Sequence, residues 1–385
     1  MADIVCICVK TLHYPAGGGH FWAYLNWALG LKALGCTVIW AEEDPGFDDP
    51  VTLAGAVRDL RERLSGYGLD SEIAIVPTAD GRSASCASHG CLSLDEAADC
   101  DLLLNFAYCL PDDAVARFPR SALVDIDPGL VQQWMKHGLM RVAPHDYFFT
   151  IGETVGQPGA RIPDLGLQWI HTPPCVVLEW WPPAPMSAPD AAFTTVTHWW
   201  QEWMSDDTGI YANDKRAAFQ PYLDLPRRTG VPLELAIQFG ADDCGERSDL
   251  IRRGWRLRDP NEVAGTPQAY QRYIRSSRGE FSCAKPGYVR HASAWISDRT
   301  LCYLASAKPA VVQHTGPSRF LPDAEGLLRF RTPDEAARLL DLVASRYNEH
   351  AAAAYALAER HFDARKVIGR VLDRVFSGRR RAVAS

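Results

Sequence analysis

The residues that could do chemistry first appear in a glycine loop near the N-terminus. The segment Gly17–His20 follows the apolar run Ile4–Val9 and precedes a stretch whose apolar spacing is helical. Glycine lets a backbone approach a ligand closely, so Gly18 and Gly19 are expected to contact a bound ligand. His20 would enter the site at the helix start, where an imidazole with an ordinary pKa of about 6.5 suits a general base for a hydroxyl nucleophile. The alternative is a tight turn with a histidine that caps the helix.

A second set of candidates lies in the loops of the second half of the chain. Ser297 can cap a helix whose free N–H groups and positive dipole end attract anions, and Arg299 would add a fork-shaped pair of donors. Lys285 supplies a further cation 12 residues before Ser297. These residues predict a diphosphate site, although an ordinary helix cap with a surface arginine has the same sequence. The residues expected to contact the ligand here are Thr197, Glu280, Ser282, Lys285, Ser297, Asp298, Arg299, His314, Thr315 and Gly316.

Two aspartates, Asp125 and Asp127, have the D-x-D spacing that holds a divalent metal in some sugar transferases. On a strand both would share a face. A diphosphate site built from lysine and arginine removes the need for a metal, so we predict no metal site and expect Asp127 to orient His20 or the acceptor. If His20 belonged to the diphosphate site, the base would have to be Asp127, Glu153 or Glu42.

Two series of alternating strands and helices must position these loops. The order strand, glycine loop, helix and strand at the N-terminus is a βαβ unit, which requires a parallel sheet. In two doubly wound sheets that face each other, ligands bind at the carboxyl ends of the strands, within the shared cleft. The predicted fold class is therefore α/β, with two Rossmann-like domains facing a central cleft and helices at the C-terminus. The strands predicted for the first domain after this unit are Ile73–Val76, Leu102–Phe106, Ala122–Ile126 and Tyr147–Thr150, and those for the second are Phe193–Thr197, Leu233–Phe239, Glu280–Ala284, Ala310–Gln313 and Gly326–Phe330.

A proline-dense stretch, Pro173–Pro189, separates the two series and suits an extended connector. We predict an N-terminal acceptor-binding domain over residues 1–180, a C-terminal nucleotide-sugar-binding domain over 190–360, and a C-terminal helix with a basic tail over 361–385.

Composition and charge exclude several classes of protein. The formal net charge is −7, and the one obvious basic run, Arg379–Arg381, lies in a terminal tail, so no nucleic-acid partner is predicted. The sequence has no secretory leader pattern and no run of 18 apolar residues, which predicts a cytoplasmic protein without integral membrane contact. The 11 cysteines occur singly, which predicts free thiols rather than disulfides or zinc ligands.

Tryptophans are dense near the predicted cleft. Aromatic faces stack on sugars and on planar acceptors, so these side chains are candidates for an acceptor wall. Interdomain packing is the favoured alternative. The residues concerned are Trp180, Trp181, Trp199, Trp200 and Trp203.

Several motifs resemble those of a family of bacterial GT-B glycosyltransferase-like proteins, some of which act in sugar-bearing antibiotic pathways of the bleomycin or heptosylated-nucleoside type. The motifs are S-R-G-E-F-S-x-A-K-x-G-Y-V from Ser277, S-D-R-T-x-C-Y-L-A-S from Ser297, E-G-L-L-R-F from Glu325 and G-G-G-H-F-W from Gly17. The resemblance implies the GT-B fold and a donor pocket that includes Ser282, Lys285, Ser297, Asp298, Arg299, Thr315 and Gly316. The family pattern reads Gly-Trp-Phe-Ser-Asp-Arg-Ser and Asp-Thr-Gly, whereas this chain has Ala294 at the first position and His314 in place of the aspartate.

The sequence therefore predicts a glycosyltransferase of hexosyl or heptosyl type. It would move a sugar from a nucleotide-diphosphate sugar, with the nucleotide left open among GDP, ADP, UDP and TDP, to a hydroxyl or amine of a small-molecule acceptor. No resident cofactor is expected, and the oligomeric state is left open. The alternatives are a GT-B-shaped nucleotide-sugar epimerase and a non-catalytic protein that binds nucleotide sugars.

Overall fold

The first lobe is built on a parallel sheet. A computed structural model describes residues 2–47, 49–78, 90–108, 110–188, 190–199, 203–206, 209–240 and 243–377. Seven strands run in the order β3-β2-β1-β4-β5-β6-β7, and every neighbouring pair is parallel. The elements of this lobe are β1 Ile4–Val9, α1 Gly18–Ala33, β2 Thr37–Glu43, α2 Pro50–Ser65, β3 Ile73–Val76, α3 Leu94–Ala98, β4 Leu102–Asn105, α4 Asp112–Val115, β5 Ser121–Asp125, α5 Leu130–Lys136, β6 Tyr147–Thr150 and β7 Trp169–His171.

The second lobe repeats the architecture with a sheet of six parallel strands. Their order is β12-β11-β8-β13-β14-β15, and a separate antiparallel hairpin, β9–β10, follows β8. The elements are β8 Phe193–His198, β9 Trp203–Asp206, β10 Gly209–Ala212, α6 Lys215–Phe219, β11 Leu233–Gln238, α7 Cys244–Arg252, β12 Arg256–Arg258, α8 Pro260–Ala264, α9 Pro267–Ser276, β13 Gly279–Ser282, α10 Pro286–His291, α11 Asp298–Ala305, β14 Ala310–Gln313, β15 Leu327–Phe330, α12 Pro333–Ser345, α13 Tyr347–Leu357 and α14 Ala364–Ser377.

The predicted fold class is confirmed: the chain is α/β, with two doubly wound parallel sheets and C-terminal helices. Apolar runs predicted the buried strands because parallel strands covered on both faces are apolar throughout. No such run occurs at β7, at the largely exposed β12 or at the β9–β10 hairpin, so the apolar pattern does not predict these strands. In the described part of the chain, no helix has both the length and the apolar character needed to cross a bilayer.

The end of the chain returns to the first lobe. Helix α14 buries an apolar stripe that includes Val367, Ile368 and Val371, and it packs against α1. A side chain at Gly30 of α1 would place its Cβ 2.4 Å from Cδ1 of Ile368, so only glycine allows the two helices to approach this closely. The predicted basic tail, Arg379–Arg381, lies outside the described residues.

The predicted connector, Pro173–Pro189, lies between the last strand of the first sheet and the first strand of the second. Its start pairs with the returning chain, because the N–H of Val176 donates to the carbonyl of Phe362 at 2.8 Å and the carbonyl of Val176 accepts from Ala364 at 2.9 Å. The two chain crossings between the lobes therefore run side by side.

Helix α1 also contacts the second lobe through its N-terminal glycines. A Cβ on Gly18 would lie 2.3 Å from the carbonyl oxygen of Thr266 and 2.5 Å from that of Ala264. One turn further on, the indole N–H of Trp22 donates to the carbonyl of Pro267 at 2.8 Å. The start of α1 is thus packed against the α8–α9 connection.

This contact predicts a cost for Gly18→Ala. The new methyl meets two backbone oxygens that belong to the other lobe and cannot move away as a flexible side chain would, so we expect a loss of about 1–3 kcal/mol in the free energy of unfolding. Gly55→Ala in α2 is the matched control, because its nearest neighbour would be the Arg58 guanidinium at 3.8 Å. That control should stabilise the protein by about 0.5–1 kcal/mol. Urea unfolding midpoints measure both, and a Gly18→Ala protein as stable as wild type would contradict the packing.

Candidate functional site

The carboxyl ends of the strands of both sheets meet around Asp127, which follows β5. Its Oδ1 accepts a hydrogen bond of 2.5 Å from the hydroxyl of Tyr288 on α10 of the other lobe. The Tyr288 ring is stacked on Trp295, with centroids 4.0 Å apart and planes within 3°. The candidate site is therefore a cluster at the interface between the lobes, to which the first lobe contributes Asp127 and the second contributes Tyr288 and Trp295.

The other aspartate of the D-x-D pair is buried and is held by hydrogen bonds within the first lobe. Asp125 is fully buried and accepts from Gln132 Nε2 at 2.7 Å and Thr150 Oγ1 at 2.8 Å. Burial raises the pKa of Asp125 to about 6, against the opposing effect of these hydrogen bonds. Among the described residues, no group of three or more His, Cys, Asp or Glu side chains is placed to hold a metal ion.

His20 lies beside Asp127 on the first-lobe side of the cluster. Its Nε2 is 3.0 Å from the carbonyl oxygen of Lys10, and because a carbonyl only accepts, Nε2 must carry the proton. The Nδ1 atom then holds a lone pair. Burial lowers the pKa of His20, while the Asp127 carboxylate acts in the opposite direction. The ring is enclosed by the edges of Tyr14 and Tyr24, each with its centroid 5.0 Å away. A neutral imidazole with one free lone pair is the form that a general base requires.

The two other carboxylates considered as bases hold loops in place. Glu42 is fully buried and accepts from the N–H of Thr11 at 2.6 Å and from the Trp40 indole at 2.8 Å. Glu153 accepts from the hydroxyl of Ser318 and from the N–H of Arg319, each at 2.6 Å, and so joins the first lobe to the loop after β14. These contacts leave His20 and Asp127 as the base candidates at the cluster.

The guanidinium of Arg299 is hydrogen bonded within its own lobe. This corrects the expectation that it is free to bind a diphosphate. Its Nε donates to Glu280 at 2.8 Å, one terminal nitrogen to Ser282 Oγ at 2.6 Å, and the other to the carbonyl of Val196 at 3.0 Å. Glu280 is fully buried. Arg299, Glu280 and Ser282 therefore tie α11 to β8 and β13.

Two lysines near the carboxyl ends of β8 and β13 have capacity for a ligand. Lys285 caps α10, and its ammonium makes no hydrogen bond or ion pair among the residues that the structure describes. Lys215 begins α6, is 7% exposed, and donates to the carbonyl of Cys283. Burial, followed by the positive charges of Arg299 and Lys285, lowers the pKa of Lys215 to about 7. The sequence reasoning missed Lys215 because a lysine at a helix start is a common surface residue, and only the fold brings it under the end of β13.

The remaining predicted residues of the second lobe shape the loops around these lysines. Ser297 caps α11 by accepting from the N–H of Arg299 at 3.3 Å, and burial raises the pKa of Asp298, the first residue of that helix. Thr197 Oγ1 donates to the carbonyl of His198 at 3.1 Å, at the end of β8. The positive charge of Lys285, after burial, lowers the pKa of His198, which places this imidazole beside the lysine.

The loop after β14 is packed onto the loop before α11. Thr315 Oγ1 donates to the carbonyl of Trp295 at 2.5 Å, and the N–H of Gly316 donates to His314 Nδ1 at 3.1 Å. Gly316 has a φ of +119°, and a Cβ there would lie 2.4 Å from the carbonyl oxygen of Ala292. Ala294 has a φ of +58°, a left-handed conformation in which the family pattern has glycine. The predicted third loop is therefore in place, but Thr315 and Gly316 serve its packing.

The N-terminal glycines also differ from their expected role. Gly18 contacts the backbone of the second lobe, and a Cβ on Gly19 would lie 2.7 Å from the ring of Tyr270. They hold α1 against α9 and do not line an open pocket, because the second lobe fills the space that a ligand would need.

The described tryptophans of this set are divided between packing, where Trp180 lies against Tyr67, and the surface. Trp181 is fully buried against Trp22 with centroids 4.8 Å apart, which is interlobe packing, and Trp199 lies in the core of the second lobe. Trp203 on the hairpin is 68% exposed. Trp200 lies outside the described residues.

A cavity of about 180 Å³ opens at the carboxyl ends of β11 and β12. These strands are the next two in the sheet after β8, whose end carries His198. Strands lie about 4.8 Å apart, so the cavity begins within about 10 Å of His198. Its lining residues are Ile237, Gln238, Phe239, Arg247, Leu257, Arg258, Asp259 and Pro260.

Comparison with known proteins supports the architecture. No protein-family model matches the sequence, and no curated protein matches it. Solved structures match over nearly the whole chain: HepE from Anabaena in complex with UDP-glucose (TM-score 0.59, 11% identity, 98% of this chain and 100% of that one), an alpha-glucosyltransferase in complex with UDP and a mismatched 13-mer DNA (0.58, 10%, 98% and 100%), and sucrose-phosphate synthase from Thermosynechococcus elongatus (0.54, 10%, 97% and 99%). The fold of the chain is GT-B.

The ion pair between Arg299 and Glu280 predicts that Glu280→Gln will destabilise the protein. Removing one charge of a buried ion pair leaves the other without its partner, so we expect a loss of about 3–5 kcal/mol in the free energy of unfolding. Glu349→Gln is the matched control, because Glu349 pairs with Arg346 at the surface, where both side chains are exposed. The control should unfold at nearly the wild-type denaturant concentration. Equal midpoints for the two variants in urea unfolding would contradict a structural role for the Arg299–Glu280 pair.

Proposed function

We propose that the protein is a glycosyltransferase that moves a sugar from a UDP-sugar to a small-molecule acceptor in the cleft between the lobes. This proposal rests on the two lysines Lys285 and Lys215. One ammonium has no partner among the described residues, and the other is buried without a bonded carboxylate, at the carboxyl edge of the second sheet. A bound anion would stabilise the charged form of the buried Lys215 and would contact the ammonium of Lys285.

The arrangement of the second lobe is consistent with a nucleoside diphosphate as that anion. The diphosphate would lie at the two lysines and His198, and the nucleoside would extend along the strand ends into the cavity at β11 and β12. The distance of two to three strand spacings suits a base and its diphosphate. HepE and the alpha-glucosyltransferase hold UDP or UDP-glucose in the same fold, which favours uridine among the four nucleotides.

The transfer step would use the first lobe. The acceptor hydroxyl would attack the anomeric carbon, the bond from that carbon to the diphosphate oxygen would break, and the hydroxyl proton would pass to Nδ1 of His20. Asp127 would stabilise the imidazolium, since its negative charge opposes the effect of burial, which lowers the pKa of His20. The lysines would stabilise the negative charge that develops on the leaving diphosphate.

The proposal also includes the type of sugar, the cofactor requirement, the acceptor and the location of the protein. We infer a hexosyl or heptosyl donor, no resident cofactor, and a small acceptor of the natural-product type in the cytoplasm. One relative of the fold binds DNA, but the net charge of −7 here does not favour a polyanion.

The first test is nucleotide binding by calorimetry, with UDP, GDP, ADP and TDP compared. We expect UDP to bind, and Lys285→Ala to weaken it by about 10- to 150-fold, because a charge-assisted hydrogen bond is lost. Lys215→Met should also weaken UDP binding, and it should remove the dependence of the UDP affinity on pH. Lys215 titrates near pH 7 and binds an anion only when charged, so the wild-type affinity should fall between pH 7 and pH 9 by up to about tenfold per unit.

The control for these variants is Lys366→Ala, which removes an ammonium from the half-exposed surface of α14. Its affinity for UDP should equal that of wild type. If none of the four nucleotides binds, or if Lys285→Ala and Lys215→Met bind UDP as tightly as the control, the donor site is wrong. UDP binding without release of sugar from UDP-glucose would favour a binding protein, and interconversion of the sugar would favour an epimerase.

The second test is His20→Ala. General-base assistance is typically worth about 10²–10⁴-fold, so kcat for transfer from UDP-glucose should fall by that factor while the affinity for UDP stays unchanged. His137→Ala, at an exposed position after α5, is the control. Full activity in His20→Ala would exclude this histidine as the base, and a parallel loss of UDP affinity would assign it to the diphosphate site.

A further inference from the structure

A tyrosine beside Asp127 has a hydroxyl proton that no described residue accepts. The Tyr108 hydroxyl accepts a hydrogen bond of 3.0 Å from the N–H of Ile126, the residue next to Asp127. Among the contacts of the described chain, this hydroxyl donates to nothing. A phenol whose oxygen already accepts from the backbone is left to act as a donor. Burial, followed by the negative charge of Asp127, raises the pKa of Tyr108, so the proton stays on the oxygen at neutral pH.

The backbone of Tyr108 is held in an unfavourable conformation. Its φ is +65°, in the left-handed region, which costs a residue with a Cβ about 1–2 kcal/mol. It lies three residues after the end of β4, at the carboxyl edge where the lobes meet. Strain of this kind persists where the surrounding structure requires a side chain at one place, and it is common at ligand sites. The strain here presents the phenol beside the loop that carries Asp127.

A second phenol faces the same carboxylate. Tyr24 on α1 is 4% exposed, and its hydroxyl has no hydrogen bond among the described residues. Its ring packs edge-on against His20 and against Phe106, with centroids 5.0 and 5.8 Å away. After burial, Asp127 has the largest effect on the pKa of Tyr24, which it raises, followed by Glu42 and Asp298. The phenol of Tyr24 therefore contacts His20 through its ring and lies within electrostatic range of Asp127.

The opposite side of the cluster can only accept protons. An ionised carboxylate has acceptor sites alone, and Asp127 uses Oδ1 for Tyr288 while Oδ2 has no partner among the described residues. The lone pair on Nδ1 of His20 adds a second acceptor, since Nε2 carries the proton. A ligand atom that contacts all three residues must accept from Tyr108 and donate to Asp127 or to Nδ1 of His20.

This requirement separates the two acceptor classes. A hydroxyl offers one proton and two lone pairs, so it meets both sides at once. An ammonium, the form of an aliphatic amine at neutral pH, has three donors and no lone pair, so the Tyr108 proton would be left buried and unpaired. We propose that the acceptor atom is a hydroxyl oxygen held by Tyr108 and Tyr24, and that the site discriminates against amines. This inference rests on the proposed transferase function and specifies its second substrate.

The experiment uses the full chain with radiolabelled UDP-glucose and matched acceptor pairs, 2-phenylethanol with 2-phenylethylamine and glycerol with 2-amino-1,3-propanediol, together with water alone. We expect transfer to the phenylethyl alcohol to exceed transfer to its amine by at least about tenfold at pH 7. Tyr108→Phe and Tyr24→Phe should each lower kcat/KM for alcohols, and the rate of UDP-glucose hydrolysis, by about five- to tenfold, with the affinity for UDP unchanged.

Tyr67→Phe is the matched control, because Tyr67 is equally buried but packs against Trp22 and Trp180. It should leave all these rates at the wild-type value. Tyr24→Phe removes no hydrogen bond within the described chain, so it tests the inference even if Tyr108→Phe unfolds.

The outcomes separate this inference from the proposal on which it rests. Failure of the wild-type protein to bind UDP would overturn the transferase proposal itself. With UDP bound, equal transfer to phenylethyl alcohol and amine, unchanged rates in Tyr24→Phe and Tyr108→Phe, or no sugar release to any alcohol or to water would each overturn the hydroxyl assignment.

Discussion

The close approach of α1 to the second lobe determines how the two sheets face each other. Gly18 allows the backbone of α1 to reach the carbonyls of the α8–α9 connection, and Gly30 on the same helix allows α14 to pack on the other side. Helix α1 is therefore in contact with both halves of the molecule. Because packed interiors are nearly incompressible, the separation of the lobes at this helix also sets the distance across the cleft at Asp127 and Tyr288.

The charges of the second lobe are divided between structure and ligand binding. Arg299 has a delocalised, planar cation with donors in fixed directions, and it donates to Glu280, Ser282 and a backbone carbonyl. The lysines carry point charges that can shift their pKa, and Lys285 and Lys215 have no carboxylate bonded to them in the described chain. A buried network that fixes α11 against the sheet thus allows Lys215 to remain without a bonded carboxylate nearby, at a cost that a bound diphosphate would offset.

Much of the fold followed from the sequence, and much of the site did not. Ile73–Val76, Tyr147–Thr150 and Ala310–Gln313 were predicted to the residue, because continuous apolar runs specify strands that are covered on both faces. The site residues depend on what the fold brings next to them. The sequence around Arg299 and around Lys215 does not show which of the two cations is neutralised. Only the position of Glu280 in the fold shows that it is Arg299. The left-handed conformation of Tyr108 has no sequence signal, since glycine or asparagine would be expected there.

The two crossings of the chain between the lobes have a mechanical consequence. The start of the connector and the segment before α14 are hydrogen bonded to each other through Val176, so the two chain segments that pass between the lobes are held together at this point. A body attached along such a line turns about it far more easily than it twists or slides. Rotation about this line would separate Asp127 from Tyr288, whereas α1 is held to the connector itself, because Asn26 accepts a hydrogen bond of 3.1 Å from the N–H of Val177.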